Sequence, residues 1–160
     1  MTLLWTQTPV AYGHVPGNDG IGSRYPVTGI THSDATALAA RLGGRLPRSA
    51  EWEWMAAGPL RRCWPWGDAP WQPAYANLRD SGHNTVTRVD THPDGATPEG
   101  VLDVAGNVWE WTASTTMGDG VIIRGGSYAA PPLYAQCTFL NAAPAELSSP
   151  GIGLRVVREP

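Results

Sequence analysis

The chain has 160 residues, a length that fits one domain with a single core, and only 16% of its residues are charged. Fifteen prolines and nineteen glycines argue against long helices, and eight tryptophans indicate a core that relies on aromatic side chains. A net charge of −3 gives no electrostatic reason to expect binding to nucleic acid or to a membrane of anionic lipids.

Residues 1–25 are rich in Gly, Pro and Thr, which predicts an irregular N-terminal segment within one domain spanning 1–160. The N-terminus has no basic region and no apolar run of the length that export or membrane insertion requires. Cys63 and Cys137 cannot supply a framework of several disulfides. We therefore expect a reducing, cytoplasmic location.

Two helices are predicted in the first part of the chain. Thr31 begins a pattern that resembles a capping box, and an apolar stripe continues to Leu42. Ser49 is predicted to cap the second helix, which Gly58 ends. Trp52 belongs to an apolar stripe of that helix, and this stripe indicates core packing.

After the helices the sequence indicates short strands joined by loops. Thr85–Val89 is a candidate short strand, and Val121–Ile123 and Ile152–Val157 are typical of buried strands. Ala129–Pro150 has no clear period and is predicted to be a long loop, a kind of segment that is usually functional or disordered. The order of elements predicts an α+β fold with much irregular structure.

The stretch Gly100–Thr112 combines carboxylates, an amide, glycines and two tryptophans. If residues 108–112 form a strand, Trp109 and Trp111 point to one face and Glu110 points to the other. An acidic side chain opposite two large aromatics suggests either a capped turn or an ion site.

Five motifs occur in an order that resembles one known family, across roughly residues 26–157. They are Gly44–Glu53 (GRLPRSAEWE), Trp64–Asp68 (WPWGD), Leu102–Thr112 (LDVAGNVWEWT), Arg124–Tyr128 (RGGSY) and Gly151–Arg155 (GIGLR). The chain resembles the formylglycine-generating enzyme (sulfatase-modifying factor) family, and this resemblance implies a variant of the C-type-lectin-like fold.

The resemblance also bears on copper chemistry. The family's copper enzymes convert a sulfatase cysteine to formylglycine with dioxygen, and bind copper(I) through two cysteines shortly after the Arg-Gly-Gly-Ser motif. Those positions fall on Ala130 and Ala135, whose side chains cannot ligate a metal. Cys137 lies two residues further on and has no partner. Copper is therefore not expected, and formylglycine generation by the family's mechanism is disfavoured.

Structural calcium is a further implication of the resemblance, because oxygen ligands in loops suit this ion. The implied ligands are the carboxylates of Asp103 and Glu110 and the backbone carbonyls of Gly106 and Val108, with Asn77 and the carbonyl of Leu78 at a second site. The alternative is that Glu110 pairs with an arginine or caps a turn.

A ligand surface is predicted on the 129–150 segment and the aromatic turn that precedes it. Its candidate residues are mixed in polarity, as recognition surfaces tend to be: Trp64, Tyr128, Tyr134, Cys137, Phe139 and Asn141. Core packing is the alternative for the aromatics, and a buried inert thiol is the alternative for Cys137.

We therefore expect a domain that binds a peptide or small molecule. One alternative is an oxidoreductase or natural-product tailoring enzyme with other metal ligands, and another is a variable binding protein of a diversity-generating retroelement. The four histidines are scattered and predict no iron site, and we interpret each as a surface or turn residue: His14, His32, His83 and His92.

Overall fold

The computed structural model describes residues 2–18, 20 and 22–160. Its helices are α1 (His32–Arg41) and α2 (Ser49–Ala57), and its strands are β1 (Leu4–Trp5), β2 (Trp109–Thr115), β3 (Gly120–Arg124), β4 (Leu140–Pro144), β5 (Ile152–Leu154) and β6 (Val157–Arg158). Short 3-10 helices occur at Tyr12–His14, Pro93–Gly95 and Pro132–Ala135. The predicted α+β class is confirmed.

The main sheet has the strand order β4-β3-β2-β5, in which β2 and β5 are parallel and the other pairs are antiparallel. Within it, Glu110 of β2 lies between Arg124 of β3 and Gly153 of β5. Strands β1 and β6 form a separate antiparallel pair that joins the two ends of the chain. The central motif therefore lies on an inner strand, where the ladder fixes the direction of its side chains.

The alternation predicted for β2 is confirmed. Trp109 and Trp111 are buried in the larger hydrophobic cluster, which also contains residues of α1. Glu110 points to the other side of the strand, towards Trp52 of α2. Trp52 is buried in a second cluster, so the prediction that its helical stripe packs in the core is also confirmed.

The start of α1 is as predicted, but that of α2 is not. The Thr31 hydroxyl accepts a hydrogen bond from the Asp34 N–H at 3.2 Å. In α2, Arg48 is the capping residue and Ser49 is the first helical residue, so the predicted cap is wrong. The reason is the Glu51 carboxylate, which accepts from the Arg48 N–H at 2.8 Å and so satisfies the helix start.

Two further predictions about elements are corrected. Thr85–Val89 is not a strand. The 129–150 segment is not structureless, because it contains the 3-10 helix Pro132–Ala135 and the strand β4. Strand β4 is mostly exposed at the sheet edge and is held by backbone hydrogen bonds to β3. Because few of its side chains are buried, its sequence shows no alternation of apolar and polar residues. No helix of the described residues is long and apolar enough to cross a membrane.

Candidate functional site

The side chain of Glu110 forms a buried ion pair with Arg155. Arg155 Nη2 lies 3.0 Å from Glu110 Oε1, and Arg155 Nε lies 3.1 Å from Oε2. Trp52 Nε1 donates to the same Oε2 at 2.7 Å. The carboxylate therefore receives charge-assisted hydrogen bonds on both oxygens in a site that excludes water.

The remaining donors of Arg155 bind backbone carbonyls from two other segments. Nη1 donates to the Thr6 carbonyl at 3.0 Å, and Nη2 donates to the Leu102 carbonyl at 2.8 Å. The guanidinium thus links the N-terminal segment, the loop before β2 and β2 itself. Because Arg155 turns inward for these contacts, the predicted strand 152–157 is interrupted between β5 and β6.

This ion pair corrects the predicted role of the Glu110 carboxylate. A guanidinium lies against both of its oxygens, and a second cation there would be repelled. The pairing of Glu110 with an arginine, which the sequence left open, is therefore what the structure contains. The Glu110 side chain does not fit as a calcium ligand.

Asp103 has a different environment. It is buried, adopts φ of 53°, and accepts one backbone hydrogen bond from Asp90 N–H on Oδ2 at 2.6 Å. Burial is the main reason that the pKa of Asp103 rises to about 6. A buried carboxylate with so little compensation is a group that a bound cation would stabilise, so Asp103 fits a cation where Glu110 does not.

Three of the other implied calcium ligands already make protein hydrogen bonds. The Gly106 carbonyl accepts from Val108 N–H at 2.9 Å, and the Leu78 carbonyl accepts from Ser81 N–H at 3.0 Å. The Asn77 side chain accepts from the Ser81 hydroxyl and donates to Asn107. Among the described residues, no group of three or more His, Cys, Asp or Glu side chains is arranged to hold a metal. The second calcium site therefore has a weaker fit than the first.

The aromatic residues of the 129–150 segment do come together. The rings of Tyr134 and Phe139 stack with centroids 4.5 Å apart and an interplanar angle of 12°. Both lie beside Trp109, at centroid distances of 6.3 and 6.4 Å. The neighbouring Leu133 is 57% exposed and Leu140 is 48% exposed. We call Leu133, Tyr134, Phe139 and Leu140 the aromatic patch.

Trp64 lies next to the same segment. Its ring stacks on Trp66 at 5.8 Å, and its Nε1 donates to the Pro132 carbonyl at 3.4 Å. Tyr128 is half-buried, and its N–H donates to the Asn107 carbonyl. Asn141 is exposed on β4. The structure thus places Trp64 against the first residue of the 3-10 helix that carries Tyr134.

Cys137 is not part of an accessible surface. It is fully buried, which corrects its place among the predicted ligand contacts and confirms the alternative of a buried thiol. The Cys137 side chain packs in the second hydrophobic cluster with Trp52, and Arg124 Nη1 holds the backbone around it by donating to the carbonyls of Cys137 and Phe139 at 3.1 and 3.0 Å. The Arg124 guanidinium also pairs with Glu53 and lies over the ring of Trp52.

The sequence predicted neither two cavities nor the burial of one histidine. A cavity of about 690 Å³ is lined by polar and apolar residues of the N-terminal segment together with Arg24 and Arg158. An apolar groove of about 630 Å³ lies along α2 beside Trp54. Neither contains a predicted ligand residue. His92 is buried rather than exposed, and burial lowers its pKa.

Comparison with known proteins identifies the family. A sequence profile described as "Sulfatase-modifying factor enzyme 1-like domain" matches residues 12–160. The chain belongs to this family. The resemblance carried by the five motifs is therefore confirmed, together with the formylglycine-generating-enzyme-like variant of the C-type-lectin-like fold.

Among relatives, the chain is 33% identical over 164 residues to hercynine oxygenase of Mycolicibacterium smegmatis, covering 84% of this chain and 37% of that protein. It is 34% identical over 142 residues to inactive C-alpha-formylglycine-generating enzyme 2 of Mus musculus, covering 78% of this chain and 46% of that one. It thus spans less than half the length of either relative.

The solved structure of Treponema denticola variable protein 1 has the same fold. It superposes with a TM-score of 0.80 at 19% identity, covering 99% of this chain and 84% of that one. At this identity the likeness shows the fold alone.

Proposed function

We propose that this family member binds a peptide or small molecule through the aromatic patch, without copper-dependent formylglycine formation. The observation that supports this most directly is the Tyr134–Phe139 stack, in which Tyr134 is exposed and Phe139 is half-buried, with the exposed leucines 133 and 140 next to them in the sequence. Aromatic side chains provide a large contact area and lose little conformational entropy on binding. The ligand would therefore present an apolar or aromatic group.

The backbone beneath the patch is held in place before any ligand arrives. Arg124 binds the carbonyls of Cys137 and Phe139, and the Phe139 N–H donates to the Gln136 carbonyl. Arg124 is itself buried and paired with Glu53. A surface fixed in this way loses less entropy when it binds, which favours recognition by a preformed site.

The alanines at the family's copper positions support the non-copper part of the proposal. Ala130 and Ala135 are buried, and their methyl groups offer no ligand for copper(I). The 34% identity to a relative named as an inactive enzyme agrees with a family member that has a role other than formylglycine generation.

We also propose structural calcium at Asp103, with the carbonyls of Gly106 and Val108 as further oxygen ligands. The support is the buried Asp103 carboxylate, whose only hydrogen-bond donor in the described part of the chain is the Asp90 N–H. In this proposal Glu110 contributes no carboxylate oxygen. Calcium would pin the loop that precedes β2.

An enzyme that uses other metal ligands is the second candidate function. It is favoured by the 33% identity to hercynine oxygenase, a protein named for oxygenation. Metal analysis of the purified protein distinguishes the two candidates, because stoichiometric copper or iron would support the enzyme and contradict the binding proposal. A template repeat with adenine-specific differences across codons 129–150 would instead support a retroelement variable protein.

The binding proposal can be tested with a phage-displayed random peptide library selected on the immobilised protein. We expect enriched peptides to contain aromatic or branched aliphatic residues and to lose at least about tenfold in affinity for Tyr134→Ala and Phe139→Ala. The matched control is Leu147→Ala, an exposed leucine of the same segment outside the patch. Equal affinity for all variants would contradict the proposal.

A further inference from the structure

Cys63 and Cys137 lie next to each other, although one precedes the aromatic turn and the other lies between the 3-10 helix and β4. The Cys137 N–H donates to the Cys63 carbonyl at 2.8 Å. Residues that exchange two such bonds in an antiparallel ladder have Cα atoms about 5.5 Å apart, and the single bond here brings the two backbones to a comparable separation. That separation falls inside the range of about 4.4–6.8 Å found across disulfides. Both thiols are free in this structure.

We propose that Cys63 and Cys137 are a redox pair that forms an intramolecular disulfide. The two segments are already in contact, because Trp64 Nε1 donates to the Pro132 carbonyl. The Cys63 N–H donates to Asp68 Oδ1 and so holds the turn itself. The bond would therefore lock an existing arrangement and needs no large rearrangement. The inference does not depend on the proposed ligand binding.

The exposures of the two thiols assign them different roles in the reaction. Cys63 is exposed and Cys137 is buried. With oxidised glutathione as the oxidant, the Cys63 thiolate attacks one glutathione sulfur, and the other glutathione leaves as a thiolate. The Cys137 thiolate then attacks the Cys63 sulfur of the mixed disulfide and displaces the second glutathione. In total, two protein thiols are oxidised to a disulfide while one glutathione disulfide is reduced to two thiols.

The surroundings of both thiols favour the protonated form and make this exchange slow at neutral pH. Burial raises the pKa of Cys137 to about 12, and Cys63 and Glu53 add to this effect while Arg62 opposes it. Partial desolvation and the neighbouring Asp68 raise the pKa of Cys63. The second step also requires local opening around Cys137, so the mixed disulfide should accumulate before the intramolecular bond forms.

The experiment is incubation of the whole protein with oxidised glutathione at mildly alkaline pH. Remaining thiols are then alkylated after denaturation, and peptides are mapped by mass spectrometry without reduction. We expect a Cys63–Cys137 linked peptide in the monomer. We also expect a melting temperature that rises by several degrees and returns to its starting value with dithiothreitol, because the cross-link closes a long loop.

Two variants make the result specific. Cys137→Ala should stop at the mixed disulfide on Cys63, and Cys63→Ser should leave Cys137 unmodified. The proposal is overturned if the wild-type protein stops at the mixed disulfide, forms only Cys63–Cys63 dimers, or does not react. In each of those cases Cys137 is recovered in its alkylated form.

Discussion

The inner strand β2 and the 129–150 segment use polar and aromatic groups in opposite ways. On β2, the Glu110 carboxylate is buried and receives hydrogen bonds from Arg155 and Trp52, so it is closed to any ligand. On the 129–150 segment, Arg124 holds the backbone while the Tyr134 and Phe139 rings lie at or near the surface. The comparison indicates that the motif that identifies the family maintains the fold, whereas the later segment is the one for which we propose ligand recognition.

The largest expected effect comes from breaking the buried pair on β2. Glu110→Gln leaves the Arg155 charge without a counter-ion, and we expect the free energy of unfolding to fall by about 3–5 kcal/mol in urea denaturation. The matched control is Glu159→Gln, because Glu159 forms an exposed pair with Arg45 at 3.5 Å and removing it should change stability by less than about 1 kcal/mol. Equal effects of the two variants would show that the buried pair does not maintain the fold.

Asp103 should make stability depend on pH when calcium is chelated. The folded-state pKa is raised from 3.8 to about 6, so the folded protein binds the proton more tightly than the unfolded chain. The free energy of unfolding should therefore decrease as pH rises from about 4 to 6, by roughly 2–3 kcal/mol.

The control for this pH dependence is Asp103→Asn. Asparagine tolerates the positive φ of 53° and keeps an acceptor for the Asp90 N–H. Urea denaturation of this variant with a chelator present should show a flatter pH profile between 4 and 6 than the wild type. A wild-type profile that is itself flat in this range would show that Asp103 does not carry a raised pKa.

Calcium should act on the same residue with a smaller effect. At neutral pH, calcium at tenfold its Kd is expected to stabilise the protein by about 1.4 kcal/mol, measured as a rise in melting temperature. A chelator should reverse the rise, and Asp103→Ala should abolish it. An unchanged melting temperature in the wild-type protein would refute the calcium site and leave the buried ion pair as the main stabilising contact of this region.

The exposed ring of the aromatic patch should contribute least to stability. Tyr134 is 36% exposed, and we expect Tyr134→Ala to lower the free energy of unfolding by less than about 1 kcal/mol. Phe139 is more buried and packs beside Trp109, so Phe139→Ala should have a larger effect of about 1–2 kcal/mol. Urea denaturation of both single variants tests this order, and a reversed order would show that Tyr134 is the structural member of the stack.

Features governed by local sequence were predicted well. The opposite faces of Trp109 and Glu110 follow from strand geometry, and the cap at Thr31 follows from a short pattern. The sequence assigned the cap of α2 to Ser49, whereas the structure has Arg48 there. The choice between these adjacent residues depends on the Glu51 carboxylate, which accepts from the Arg48 N–H, and on Arg124, which donates to the Ser49 hydroxyl.

Features that join distant parts of the chain could not be predicted in the same way. Arg155 meets Glu110, and Cys63 meets Cys137, only because the fold brings separate segments together. The strand β4 lacked a hydrophobic period because it lies at a sheet edge. For the proposed site, the sequence indicated aromatic residues that the structure brings together, but it misplaced Cys137, which packs in the buried cluster with Trp52.

The central claim is that the aromatic patch binds a ligand without maintaining the fold. Its most direct test is calorimetric titration of a library-selected peptide into the wild-type protein and into the double variant Tyr134→Ala, Phe139→Ala, with urea denaturation of both proteins in parallel. We predict that the double variant stays folded and loses at least about tenfold in peptide affinity. A folded double variant that binds the peptide with an unchanged Kd would contradict the account.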